Sequence, residues 1–264
     1  MKRALIVHGG CGTPPSGEEA ERNASCERAA DAGWKVLLAD GSALDAVEAA
    51  VRALEDEPLL NAGTGAYLQA DGVARLDASI MADDGRAGAV AQVPLLPHPV
   101  SLARYLLEQD AHVMLAGPEA LTLAVRLGHA TGVVATEAKI AYWQEHLDDA
   151  CRRLDYAAMA AAWKSENPRL GTVGCVASDA RGHLAAATST GGTGQCYPGR
   201  VEGHAADRAQ TPRVLALPVR AHRRVVEAQV SLAQVLLPVR DLPRRCDDRR
   251  LVAEAQRELQ RLRA

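Results

Sequence analysis

Gly171-Thr172 opens the run Gly171-Thr172-Val173-Gly174-Cys175-Val176-Ala177, and two further turns follow it: Ala187-Thr188-Ser189-Thr190-Gly191-Gly192 and Pro198-Gly199-Arg200-Val201. A threonine hydroxyl is a weak nucleophile until a base is placed beside it. If the Gly171–Thr172 bond is cut, Thr172 acquires a free α-amine next to its own Oγ. Such an amine titrates at about 7.7–8.0 in model peptides, so near neutrality much of it can accept a proton. One residue then supplies both nucleophile and general base. Taken alone, the Gly-Thr pair reads as a glycine turn entering a half-buried strand. The whole run with its two later turns is what marks the site.

Elements of two kinds must position these residues. Residues 4–8 read as a buried strand ending at Gly9-Gly10. Helical spacing runs from Glu18 to Ala39 and stops at Asp40-Gly41. Ser42 opens a second helix with Asp45 three residues on, an approximate capping box, and Leu44, Val47, Val51 and Leu54 form its apolar stripe. Pro58 ends it, and Asn61-Ala62-Gly63-Thr64-Gly65 makes a tight loop. Tyr67–Ala70 and Val73–Ile80 are predicted to pair as a hairpin about Asp71-Gly72. Ala87–Val93 reads as a strand, and helices at 100–108 and 118–128 flank a strand at His112–Leu115. Residues 134–170 read as a polar linker anchored by Trp143 and Trp163. A second hairpin joins Thr172–Ser178 to Leu184–Thr190 through Asp179-Ala180-Arg181-Gly182. Beyond Val201 the spacing predicts amphipathic helices at Arg223–Leu237 and Arg249–Leu262.

Composition narrows the class. A chain of 264 residues can build one sizeable core. No apolar run reaches the roughly 20 residues of a membrane span, and the first strand is too short for a signal peptide, so a cytoplasmic protein is expected. The six cysteines lack CxxC spacing and read as reduced thiols rather than a disulfide frame or zinc site. Charge divides unevenly: residues 1–200 hold 17 Lys+Arg against 25 Asp+Glu, whereas residues 201–264 hold 13 Arg against 8 Asp+Glu. After Gly203 there is no glycine.

Six stretches in order carry a resemblance to a known family. They are Ile6-Val7-His8-Gly9-Gly10, Asn61-Ala62-Gly63-Thr64-Gly65-Ala66, Leu76-Asp77-Ala78-Ser79-Ile80-Met81, Ala87-Gly88-Ala89-Val90-Ala91, His112-Val113-Met114-Leu115 and the run from Gly171 to Val201. Over about its first 200 residues the sequence resembles the type 2, or plant-type, asparaginases and isoaspartyl peptidases, which are N-terminal nucleophile hydrolases. The resemblance implies an α+β fold, a four-layer αββα sandwich, here incomplete at its C-terminal end. It implies self-cleavage between Gly171 and Thr172, giving an α chain of residues 1–171 and a β chain from 172, and attack of Thr172 on a small β-aspartyl amide or isopeptide. Thr190 matches a second threonine beside the nucleophile, Arg200 the clamp on the substrate α-carboxylate, and Asn61 an asparagine near the site. A structural sodium ion is implied on the backbone carbonyls of Leu54, Glu55, Glu57, Leu60, Ala62 and Thr64, with no other cofactor. The two chains of one precursor are expected to assemble as a dimer of heterodimers.

The tail departs from that pattern. The acidic residue that the family places two positions after Gly-Arg-Val is Gly203 here, with Glu202 and Asp207 on either side, and no Gly-Thr-Gly follows Val201. Residues 172–202 therefore read as the start of a β chain, and 203–264 as a divergent, arginine-rich helical tail from a shifted reading frame or rearranged gene end. Glycosylasparaginases carry Asn-Gly where this chain has Gly191-Gly192, which favours the isoaspartyl branch; threonine aspartase is a more distant option. From another class, the chain reads as a non-catalytic remnant whose basic tail binds an acidic partner. The tail lacks the interleaved aromatics of a nucleic-acid reader.

Overall fold

The computed structural model of the chain describes residues 3–10, 17–165 (side chains to 161) and 171–201. Among them, six strands form one mixed sheet in the order β1-β5-β6-β2-β3-β4. These are β1 (Ala4–His8), β2 (Arg75–Ala82), β3 (Ala87–Pro94), β4 (Met114–Ala116), β5 (Val173–Ser178) and β6 (Leu184–Thr190). Only β3 and β4 run parallel. The helices are α1 (Glu19–Leu38), α2 (Ala43–Glu55), α3 (Pro99–Gln109), α4 (Gly117–Arg126), α5 (Glu137–His146), α6 (Asp149–Arg153) and α7 (Tyr156–Ser165).

Alternation along the strands gives the sheet two unlike faces. One row runs Val7–Cys175–Ala187–Ile80–Gly88 across the ladder. It lies under α1, α2 and α3, where Leu37, Val47, Val51, Leu54, Leu102 and Leu107 are fully buried. Burying each such side chain contributes about 1.5–3 kcal/mol. The neighbouring row on the opposite face, Ile6–Val176–Ala186–Met81–Ala87, is only half-buried.

The capping box at α2 forms as predicted: Asp45 N donates to Ser42 Oγ at 3.1 Å, and Ser42 N donates back to Asp45 Oδ2 at 3.2 Å. The hairpin of β5 and β6 also forms about residues 179–182. Among the described residues, Cys26, Cys151 and Cys175 are free thiols. No described helix is long and apolar enough to cross a membrane.

Two expectations need correction. Residues 67–70 share only one backbone bond with 73–80, from Gln69 N to Val73 O at 3.0 Å, and form no ladder with them. Leu68 and Ala70 bond the loop after β6 instead: Gln195 N donates to Leu68 O at 2.8 Å and Ala70 N to Cys196 O at 2.9 Å. The Asp71 carboxylate accepts from Val73 N and from the Arg75 guanidinium, which closes a local turn rather than a ladder. The hairpin partner of β2 is β3, joined by Asp83-Asp84-Gly85-Arg86. The second correction concerns residues 134–165, which are not a structureless linker. Thr136 and Asp148 cap α5 and α6 through bonds from Lys139 N (3.3 Å) and Cys151 N (2.7 Å), so this polar stretch satisfies its own helix ends. Trp143 anchors α5 against Gly72, as expected of it; the side chain of Trp163 lies outside the described residues.

Asp179 joins the β5–β6 turn to the core helices. Its carboxylate accepts from Arg181 N (2.9 Å), His183 N (3.0 Å) and, across the fold, Ala43 N (3.3 Å) at the start of α2. Burial opposes its ionisation, but the donors from His183, Ala43 and Arg181 outweigh that and hold the carboxyl below its ordinary 3.8. A depressed carboxylate adds stability above its unfolded value, and that stability is lost as pH falls through the lower folded value. Asp179→Asn should cost about 1–3 kcal/mol at neutral pH. It should also flatten the fall in thermal midpoint that the wild type shows below about pH 4. Parallel midpoint-versus-pH curves for the two proteins would contradict this role.

Candidate active site

The site lies at one end of the sheet. The register of β5 on β6 pairs Val173 with Ser189, and continued by one residue it brings Thr172 opposite Thr190. Thr190 in turn pairs with Asp77 on β2. On the other side of Thr172 is Gly10, whose added Cβ would fall 3.8 Å from Thr172 N. Thr190 is 1% exposed, whereas Gly171 and Thr172 are half-buried and so reachable from solvent.

The carbonyl of Gly171 is the most closely held group there. It accepts a hydrogen bond from Asn61 Nδ2 at 2.9 Å and another from Thr190 Oγ1 at 3.1 Å. Both donors are oriented by their other bonds. Thr190 Oγ1 accepts from Gly192 N at 3.0 Å, which turns its proton toward Gly171 O. Asn61 Oδ1 accepts from Tyr67 N at 3.1 Å, and a backbone N–H can only donate, so the carboxamide cannot be flipped. The same Nδ2 also reaches Gly192 O at 2.5 Å, and Asn61 O accepts from Gly191 N at 2.9 Å. Glycine is needed at 191 because an added Cβ would lie 2.5 Å from Ala66 Cβ and 2.6 Å from Asn61 Oδ1. Two donors on one carbonyl oxygen polarise that carbonyl and can receive negative charge developing on it.

Arg200 sits on the loop after β6. Its guanidinium Nη1 donates to the buried Thr193 Oγ1 at 3.4 Å, and its own N–H bonds Tyr197 O at 3.1 Å. Beneath this turn is a group of buried polar side chains that the sequence reading did not single out. Gln69 and Asp77 are 1% and 2% exposed, and Gln92 is 9% exposed. The signal was present: Gln92 interrupts the apolar strand Ala87–Pro94, and it has φ of 55° where β3 bulges against β2.

The loop that carries Asn61 starts at the end of α2. Leu54 and Leu60 are fully buried. The Glu57 carboxylate bonds Arg28 at 2.7 and 2.8 Å and Ser25 at 3.0 Å, and the Arg28 bond holds it below the usual carboxylate range. Burial pushes the Glu55 carboxyl well up, with Ser189 opposing; Val100 N donates to its Oε1 at 3.2 Å. Ala62 precedes the one-turn helix Gly63–Gly65, and Thr64 is its middle residue. Among the described residues no group of three or more His, Cys, Asp or Glu side chains could hold a metal. Glu202, Gly203 and Asp207 lie outside the described residues.

The chain matches the family model described as asparaginase over residues 1–206. It belongs to the asparaginase family. Among the relatives of this asparaginase-family chain are the isoaspartyl peptidase/L-asparaginases of Homo sapiens and Bos taurus, each 38% identical over 76% of this chain and 64% of their own length. The plant-type L-asparaginase of Pyrococcus horikoshii is 39% identical over 75% of this chain and 66% of its own. The chain thus spans a little under two thirds of the length of the curated relatives it matches.

The Asn61 side chain holds three partners around the candidate site, Gly171 O, Gly192 O and Tyr67 N, so removing it strands several groups together. Asn61→Ala should lower stability by about 2–4 kcal/mol, read as a shift in urea midpoint. A shift below about 0.5 kcal/mol would mean that water replaces the carboxamide without loss.

Proposed function

We propose that the chain is a hydrolase of β-aspartyl amide and isopeptide bonds that first cuts itself between Gly171 and Thr172. The observation that carries this reading is the pair of donors, Asn61 Nδ2 and Thr190 Oγ1, both on the carbonyl oxygen of Gly171. In the self-cleavage step Thr172 Oγ bonds to the Gly171 carbonyl carbon and the oxygen takes up negative charge under the two donors. The C–N bond then breaks, the hydroxyl proton passes to the departing nitrogen, and Gly171 becomes an ester of Thr172. Water hydrolyses the ester, leaving a Gly171 carboxylate and a free α-amine on Thr172.

In turnover the same amine takes the Thr172 Oγ proton as Oγ attacks the β-carbonyl of the substrate. The amine or ammonia leaves with that proton, and water releases aspartate from the ester. Once Gly171 has left, Thr190 Oγ1 remains beside the nucleophile. Arg200 is placed on the substrate α-carboxylate, for which a planar two-pronged donor suits. The names of the relatives, isoaspartyl peptidase/L-asparaginase and plant-type L-asparaginase, support this substrate class.

Two further parts of the reading concern the scaffold. The half-buried row Ile6–Val176–Ala186–Met81 is the apolar face that a second sheet would cover in a four-layer sandwich. A structural sodium ion is part of the same proposal, on the loop ahead of Asn61, where the carbonyls of Glu57, Pro58 and Leu60 all crowd against Gly65. Backbone carbonyls of Leu54, Glu55, Glu57, Leu60, Ala62 and Thr64 would hold it, and its contribution would be to stiffen the loop that presents Asn61.

On a denaturing gel the purified chain should resolve into fragments of 171 and 93 residues, the latter being 264 less 171. Thr172→Ala should stay intact and release neither ammonia from asparagine nor aspartate from a β-aspartyl dipeptide. Thr190→Val removes one donor from Gly171 O and should slow self-cleavage by about 10²–10³-fold. An intact wild-type band with Thr172→Ala indistinguishable from it would overturn the reading.

A further inference from the structure

Gln69 and Gln92 form a one-way relay of hydrogen bonds. Arg75 Nη1 donates to Gln69 Oε1 at 2.7 Å, and Gly199 N donates to the same oxygen at 3.2 Å. Both partners can only donate, so the Gln69 carboxamide must present its oxygen to them and its Nε2 elsewhere. That Nε2 donates to Gln92 Oε1 at 2.9 Å. Gln92 is thereby oriented in turn, and its Nε2 donates to the carbonyl of Arg200 at 2.7 Å, with Asp77 Oδ1 at 3.4 Å as a second acceptor. Asp77 Oδ1 also accepts Gln92 N at 2.7 Å, which fixes the bulged backbone from which the side chain springs. The Arg75 end is secured by its two-pronged pair with Asp71, at 2.7 and 3.0 Å.

Two consecutive residues of the Arg200 turn are thus tied to the sheet by two neutral amides, one through Gly199 N and the other through Arg200 O. The relay ends beside the site, because Asp77, a second acceptor of Gln92, is the cross-strand partner of Thr190. A long arginine on a surface loop loses considerable rotamer and backbone freedom when it grips a carboxylate. Fixing the backbone beforehand removes part of that cost, and two buried amides do so without placing a competing charge near the guanidinium.

We infer that Gln69 and Gln92 are positioning residues for Arg200, setting affinity for the α-carboxylate of the substrate rather than the rate of acyl transfer. This rests on the reading of Arg200 as the carboxylate clamp. Gln69 and Gln92 act through the backbone of residues 199–200 and touch neither Thr172 nor Gly171 in the hydrogen-bond pattern around the cut.

The test compares wild type, Gln92→Met, Gln69→Met, the double variant and Arg200→Ala, each checked for folding by its thermal midpoint. For a β-aspartyl dipeptide, each Met variant should raise KM about tenfold with kcat within about twofold, while the Gly171–Thr172 cut keeps its wild-type rate. The double variant should be worse than Gln92→Met, which leaves the Gly199 N bond to Gln69 in place, and no worse than Gln69→Met, which removes that bond and the orientation of Gln92 together. Calorimetric affinity for L-aspartate gives the same comparison without turnover. Limited trypsin digestion followed by mass spectrometry should release the peptide ending at Arg200 several-fold faster in both Met variants. Unchanged KM, aspartate affinity and trypsin release overturn the inference, as does a fall in kcat alone. If Arg200→Ala binds aspartate as wild type does, the clamp reading itself fails, whereas a normal Arg200→Ala defect with silent Met variants fails the relay only. Should Gln92→Met not fold, Gln69→Met breaks the same chain from its far end.

Discussion

A single carboxamide organises the end of the sheet. Asn61 leaves a helix-ending loop, takes one N–H from Tyr67, and directs its amide protons at two carbonyls that belong to distant parts of the chain. Those carbonyls, of Gly171 and Gly192, lie on either side of the β5–β6 hairpin. The helical layer, the hairpin and the loop carrying Arg200 therefore meet at one planar group whose orientation a backbone donor dictates. Hydroxyl and glycine positions in the hairpin then follow from what that group needs: Thr190 to share the Gly171 oxygen, and Gly191 to let the chain pass beside Asn61.

The same economy explains why the sheet has unlike faces. Under the helices the strands present valine, cysteine, alanine and isoleucine in an unbroken row, buried throughout except at the edge valine, Val7, which is half-buried. On the opposite face threonine, serine and aspartate gather toward the end where Thr172 lies, and small apolar residues occupy the middle. Hydrogen-bonded polar groups can be buried only where partners are arranged for them, and here the partners are the neighbouring strand ends and the loops that cap them.

Much of this was legible from residue types. The capping box at Ser42 and the β5–β6 hairpin follow from local patterns, whereas the grouping of Asn61 and Thr190 with Gly171-Thr172 was implied only by the family resemblance. What local reading missed depends on long-range competition for backbone donors. Residues 67–70 and 73–80 flank an Asp-Gly turn and alternate acceptably, yet Leu68 and Ala70 bond residues 195 and 196 instead. The helices over 137–165 were obscured by their polar composition, although Thr136 and Asp148 are ordinary helix starts. Alternation alone puts Gln92 on the helix-facing side with Gly88 and Val90; the bulge that gives it a positive φ turns its side chain to the Arg200 turn instead, where Gln69 meets it.

The strand order carries one more implication. Strands β5 and β6 follow residue 171 in the chain, yet they lie between β1 on one side and β2, β3 and β4 on the other, all of which precede it. A chain divided at Gly171–Thr172 therefore does not divide into two bodies: each piece supplies strands that the other needs as neighbours. Assembly of the sheet is a unimolecular event while the peptide bond is whole and a bimolecular one after it is broken. The stability of a chain so cut would depend on its concentration, and its unfolding would be a separation that dilution makes hard to reverse.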